Sequence, residues 1–189
     1  VLANDYLSYD DICRLKIIEE LLNQTYNSGR LNATMEWLVE ECNGDAFKLY
    51  DAMADYWEKH DLHLVAHNTK NLFKYIYDFV TQTKPLLSQL CREFLKFDAL
   101  VGERGAVRPE FLDWSGDTWN GEITSFWRDT ERVRKYLPDY QFATWREIKK
   151  NYHIEVLGVN IPAYLHDKAA IKKARTIVLF SLRETPPRY

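Results

Sequence analysis

His60, His63 and His67 and the single residue Arg30 are the side chains whose types and spacing could carry chemistry. The histidines follow Trp57-Glu58-Lys59 at steps of three and four. On a continuous helix those steps would bring the imidazoles to one side, as a transition-metal site requires. Asp61 and Asn68 interrupt the pattern, because both residue types favour helix ends and caps. The segment therefore reads as a helix end with structural histidines, and the competing metal-enzyme reading would need all three rings on one ion. Arg30 follows the turn Asn27-Ser28-Gly29. Its planar guanidinium suits a carboxylate or a phosphate; the plainer use is an ion pair tying the helix before the turn to the helix after it. Cys13, Cys42 and Cys91 lie too far apart for the common zinc and iron–sulfur patterns. The sequence has no glycine-rich phosphate loop and no Gly-x-Ser-x-Gly. It assigns no catalytic residue and no metal site.

The elements that must position these residues are mostly helices. Ser8 and Asp11 form a capping box opening a helix to Tyr26 with Ile12, Leu15, Ile18, Leu22 and Tyr26 as its apolar stripe. Asn27-Ser28-Gly29 ends it. A second helix carries Leu31, Met35, Leu38 and Cys42, and Asn43-Gly44 breaks it. Asp45 caps a third, with Phe47, Tyr50, Met53 and Trp57 inward. Asn68 or Thr69 opens a fourth, with Leu72, Ile76, Phe79 and Val80. Pro85 suits the first position of a fifth, which runs through Leu87, Leu90, Cys91, Phe94, Phe97 and Val101 to Gly102.

Residues 103 to 117 are polar and turn-rich, the best candidate for a subdomain boundary. We take 1–103 as a helical subdomain and 104–189 as a helical extension with a short α/β tail, together one compact domain. A sixth helix is predicted from Thr118 to Leu137 with Trp119, Ile123, Phe126, Thr130, Val133 and Leu137 as its seam. Thr144 and Glu147 form a second capping box. Tyr152, Ile154 and Val156 alternate with His153, Glu155 and Leu157 as in a strand, and Thr176 to Leu182 is a second β-branched run. A short helix from Pro162 to about Lys173 separates them. Two short strands must pair with each other against the helices or join a further sheet. The fold class is mainly α: a multi-helix orthogonal or bundle-like domain with a short β-hairpin or edge strands near its end. Trp37, Trp57, Trp119 and Trp127 fall at or beside helical stripes and are expected in the core.

Composition narrows the function. Lys and Arg number 25 against 28 Asp and Glu, a net charge of −3. A nucleic-acid partner would need a surplus of cations to displace counterions from phosphates, so none is expected. The densest basic stretch, Lys168, Lys172, Lys173 and Arg175, reads as a solvated helix face. No apolar run approaches the ~20 residues of a membrane helix, and the first residues do not resemble a signal peptide. A cytoplasmic protein with reduced, buried thiols and no membrane partner is expected. The chain opens on Val1 rather than Met, which fits a piece of a longer protein.

Leu7-Ser8-Tyr9-Asp10-Asp11 leads into Arg14-Leu15-Lys16 and Ile18-Glu19, and the helix ends in Tyr26-Asn27-Ser28-Gly29-Arg30. This arrangement, followed by Ala54-Asp55-Tyr56-Trp57-Glu58, resembles the C-terminal domain of unknown function found in bacterial cobalamin-binding radical SAM proteins. The resemblance spans residues 5 to 100. It departs from the family at Leu31, where Phe is usual, and at Ser181-Leu182, where an acidic–aromatic pair is usual. It implies a parent enzyme with a 4Fe-4S cluster, S-adenosylmethionine and cobalamin, held by the radical SAM and cobalamin domains of the same parent chain. The chain itself lacks Cys-x3-Cys-x2-Cys and is expected to hold no cofactor. Under the resemblance it is a non-catalytic accessory domain capping the barrel, with Asn27, Arg30, Trp57 and His63 as the residues that face the substrate pocket. The competing reading is an independent helical protein-interaction module that binds a partner through an aromatic groove.

Overall fold

Local capping signals at Ser8, Asp45, Asn68, Asp129 and Thr144 set where the helices that follow them start. The computed structural model describes residues 7–65, 67–115, 121–167, 171–183 and 189. Among the described residues it is mainly helical, with nine α-helices and one two-stranded antiparallel sheet. The chain divides into two compact units, Val1–Leu112 and Asp113–Tyr189.

In the first unit, α1 (Tyr9–Leu22) opens on the Ser8–Asp11 capping box. A single π-helical turn, Asn23–Asn27, follows. α2 (Asn32–Glu40) and α3 (Ala46–Lys59) are separated by Asn43 and Gly44, at φ 59° and 77°. The Asp45 side chain accepts from the Lys48 N–H and starts α3. A 3-10 turn, Leu62–Leu64, precedes α4 (Thr69–Thr83), which Asn68 caps. Pro85 opens a 3-10 turn rather than the helix itself, and α5 (Ser88–Val101) begins three residues later. α1 packs on α3, and α5 packs on both α2 and α4. Trp37 stacks on Phe94 at 4.9 Å and 7°. α5 is buried on nearly every side from Phe94 to Leu100, Lys96 and Asp98 included.

Two predicted stripes are rotated. Leu15 and Tyr26 are exposed, and the buried positions of the first helical run are Leu21 and Thr25. Arg14 reaches α3 from the same side, bonding Asp51 and Asp55 and, at 2.7 Å, Glu58. The π turn adds a residue to its loop and swings Tyr26 outward. On α3, Phe47 is 63% exposed, and Leu49, Ala54 and Tyr56 join Tyr50, Met53 and Trp57 inside.

In the second unit the predicted sixth helix is two: α6 (Gly121–Arg128) and α7 (Thr130–Arg134). Asp129 divides them. Its backbone leaves the helical region at φ −81°, ψ 84°, and its side chain caps the new helix at the Arg132 N–H. Trp119 and the start of that prediction lie outside the described residues. α8 (Trp145–Asn151) carries the Thr144–Glu147 capping box. β1 (Tyr152–Val159), α9 (Ile161–Asp167) and β2 (Lys173–Ser181) follow. The strands pair with each other, Tyr152 opposite Ser181 through Leu157 opposite Thr176, with an irregularity before Val159. Trp127, Val133, Tyr140, Ile148 and Tyr152 form a buried cluster against which Ile154 and Leu179 pack. The Tyr140 hydroxyl donates to the Trp127 carbonyl at 2.5 Å, and burial, with Tyr152 beside it, pushes its pKa up to about 12. Lys173 and Arg175 belong to β2, not to a helix face; β-branched neighbours decide the local structure there. Lys168 lies outside the described residues.

Candidate functional site

The turn between α1 and α2 is built from behind by α5. The N-cap position of α2 is Leu31, which has no side-chain acceptor for the orphan N–H groups of the first helical turn. Asp98 of α5 supplies it. One carboxylate oxygen accepts from the Ala33 N–H at 3.1 Å, the other from the Thr34 N–H at 2.8 Å and the Thr34 hydroxyl at 2.6 Å. Burial pushes the Asp98 pKa up to about 7, and Glu36 adds to this, while the three donors pull it down. One turn further along α5, a Cβ on Gly102 would lie 2.8 Å from the Arg30 carbonyl oxygen and 2.9 Å from its Cα. The helix can approach the turn that closely only without a side chain at 102. Glu103 then pairs with the Arg30 guanidinium at 2.7 Å.

On this frame the outer residues stand in solvent. Tyr26 is 55% exposed. Asn27 is exposed and donates to Asn23 at 2.7 Å. The Ser28 hydroxyl donates to the Gln24 carbonyl, and Gly29 takes φ 73°. Thr25 points inward, with its hydroxyl 2.9 Å from that of Tyr50. Arg30 thus has a carboxylate partner, but on the segment after α5 rather than on either adjacent helix.

The histidine segment is a helix end. α3 stops at Lys59, and Asp61 takes the left-handed conformation at φ 54°. Trp57 is 2% exposed. The His63 ring lies 3.5 Å from the Trp57 carbonyl oxygen, near the open carbonyls of the last helical turn. Tyr56 and the His60 ring lie 4.3 Å apart, and His67 makes edge-on contacts with Trp57 and Tyr75. The three histidines are thus engaged with aromatic rings and backbone. Among the described residues no three His, Cys, Asp or Glu side chains are grouped to hold a metal ion. The structure brings Asn27 and Arg30 together at one turn, and Trp57 and His63 together at the end of α3.

The strand pair contains a polar group that the sequence reading passes over. Glu155 is fully buried, and one of its oxygens lies 3.0 Å from Nε2 of the nearly buried His153. Its other oxygen accepts from the Ser115 hydroxyl and from the N–H groups of Ser115 and Val156, at 3.0 and 3.2 Å. The carboxylate sits between hydroxyl and imidazole. A nucleophilic serine needs the imidazole in that middle place to take its proton, so this order builds a lock rather than a hydrolase. The signal was the alternation itself: His153 and Glu155 share a face of β1, and that face is buried.

Fold and site together define a class: a mainly helical domain with an antiparallel strand pair, carrying an exposed polar turn on a buried frame. The chain belongs to the family described as Protein of unknown function (DUF4080), whose model matches residues 1–180. No curated protein and no solved structure matches it. No helix of the described residues is long and apolar enough to cross a membrane.

Proposed function

We propose that the chain is the non-catalytic C-terminal accessory domain of a cobalamin-dependent radical SAM enzyme, covering the barrel and helping to form the substrate pocket. The reading starts from the resemblance over residues 5 to 100. The observation that carries it is the placement of the Tyr26-Asn27-Ser28-Gly29-Arg30 turn: polar and exposed outside, clasped by Asp98, Gly102 and Glu103 inside. Burying a carboxylate is unfavourable unless hydrogen bonds hold it. Here it fixes the first turn of α2 and with it the aim of Asn27 and Arg30. A site completed by a neighbouring domain needs such a rigid polar loop.

In this reading Asn27 and Arg30 touch the pocket; the buried Trp57 and the half-buried His63 lie at the far end of α3 from the Thr25–Tyr50 contact beside that turn, and are not brought to it. The 4Fe-4S cluster, S-adenosylmethionine and cobalamin belong to the rest of the parent chain. A three-thiolate ligand set does not fit here, because Cys13 and Cys91 lie on α1 and α5 and Cys42 follows α2.

The test is to express the cobalamin-and-barrel portion of the parent separately and titrate it with this chain. Tight association and turnover restored on mixing are expected. Arg30→Ala should leave the chain folded, since a half-exposed ion pair contributes about 0–1 kcal/mol, and should lower turnover in the reassembled enzyme. Failure of the two portions to associate would sink the reading.

A further inference from the structure

The hydrogen-bonding pattern shows which edge of the sheet is open. Val156 accepts attention from outside the ladder: its N–H donates to the Ser115 hydroxyl at 3.1 Å, and the same hydroxyl lies 3.5 Å from its carbonyl oxygen. Its backbone groups therefore point away from β2. In an antiparallel pair, opposed residues either exchange both bonds or turn both sets outward. Ile177, opposite Val156, must then turn its N–H and C=O outward on the far side of β2, as must Leu179 opposite Ile154. The alternation is confirmed at the other end, where Leu182 N–H donates to the Asn151 carbonyl at 2.8 Å. That pair has the same parity as His153 opposite Phe180, the bonded set.

The two edges are treated differently. Ser115 covers that of β1 at Val156. Among the described residues nothing bonds to the outward backbone of Ile177 or Leu179. The side chains do not close that edge either. Ile177 is 66% exposed, and Lys173 and Arg175 have no ion-pair partner among the described residues. Arg175 stands two residues from Ile177, the spacing of one strand face, at the irregularity where Ala174 and Arg175 together stand opposite Gly158, with Lys173 beyond it.

We propose that the outer edge of β2 docks an extended segment of another polypeptide as a third strand, one in which carboxylates stand two residues from an apolar side chain. Main-chain bonds to Ile177 and Leu179 would hold it. An apolar residue would cover Ile177, and the carboxylates would meet Arg175 and Lys173, since opposite charges on adjacent strands attract. A second copy of this chain fits less well. Self-pairing about Ile177 sets Arg175 beside Leu179 and Lys173 beside Ser181, which offers neither cation a carboxylate; self-pairing about Arg175 opposes like charges. The inference is independent of the proposed enzyme context, since it concerns β2 alone.

The probe is a short, blocked, fluorescent peptide of repeating Glu-Thr-Val-Thr, which sets glutamate and valine two residues apart on one face, titrated with the full chain. Saturable binding is expected, with slowed hydrogen exchange at the Ile177 and Leu179 amides and none added at Val178, already within the ladder. Ile177→Pro removes an outward N–H and no ladder bond, and proline is tolerated on strand edges for that reason. It should retain the fold and weaken binding by roughly tenfold or more. Arg175→Glu should weaken the glutamate peptide and favour a valine–lysine one. Should the proline variant fail to fold, a peptide N-methylated at alternate residues makes the same test on the unaltered chain and should not bind. Unchanged exchange at Ile177 and Leu179 under excess peptide overturns the proposal. So does equal binding of the N-methylated peptide. A concentration-dependent dimer abolished by Ile177→Pro would overturn it too, by giving the edge to a second copy.

Discussion

Burial and hydrogen bonding pull the Asp98 carboxyl in opposite directions, and burial prevails, with a pKa up to about 7. The neutral form loses little. A proton on the oxygen 2.6 Å from the Thr34 hydroxyl can be donated to it, with the hydroxyl reversing its role. An unfolded aspartate titrates near 4, so between about pH 4 and 7 the native state holds a proton that the unfolded chain has released. Stability from this group is therefore complete below about pH 4 and lost as the pH rises to about 7. Denaturant titrations across that range should show the fall, and Asp98→Asn should remove that part of the slope. The asparagine also leaves the Ala33 or the Thr34 N–H without an acceptor, so it should cost about 1 kcal/mol at pH 5. Asp98→Ala, which abandons all three donors, should cost about 2–4 kcal/mol. An unchanged slope in the asparagine variant would mean that another group titrates.

The element boundaries divide by how local their cause is. Ser8 with Asp11, Thr144 with Glu147, Asp45 and Asn68 start helices through a side chain and an N–H three residues on, so these starts were legible in the sequence. The split at Asp129 was half legible: the capping residue is there, but the apolar seam runs through it, and only the backbone shows which signal won. The π turn was not, since one extra residue in a hydrogen-bonded loop changes no residue type, yet it decides that Thr25 faces in and Tyr26 out. Neither was the cap of α2, because Asp98 lies 64 residues from Thr34. The exposed turn itself was visible as Asn27 through Arg30; the frame behind it was not. Gly102 shows the same limit. It read as a helix stop, but its φ of −70° is open to any residue, and its real constraint is the Arg30 backbone 2.8 Å from where a Cβ would sit. Gly102→Ala should therefore destabilise by about 1–3 kcal/mol despite improved helix propensity. A stability equal to or above that of the parent in urea unfolding would show that the turn can shift aside.

At the scale of the whole molecule, the cores of the two units have different makings. The first unit holds Trp37 on Phe94 and Trp57 among Tyr56, Tyr75 and His67, on helices that end before Leu112. Its long-range cap, Asp98 to α2, closes within it. The second gathers Trp127, Tyr140 and Tyr152 around the start of β1 and ties β1 to Ser115 through Glu155. Because Asp98 and the Ala33 and Thr34 groups it holds all lie within the helical unit, residues 1–112 expressed alone should fold, unfold cooperatively, and keep the pH dependence of Asp98. Residues 113–189 form a smaller unit, and small cores bury too little surface for much stability, so that portion should unfold at lower urea. Tryptophan fluorescence separates the two, with Trp37 and Trp57 reporting on one portion and Trp127 and Trp145 on the other. A disordered 1–112 portion would mean that buried groups of the helical unit depend on residues after Leu112, and that the chain folds only as a whole.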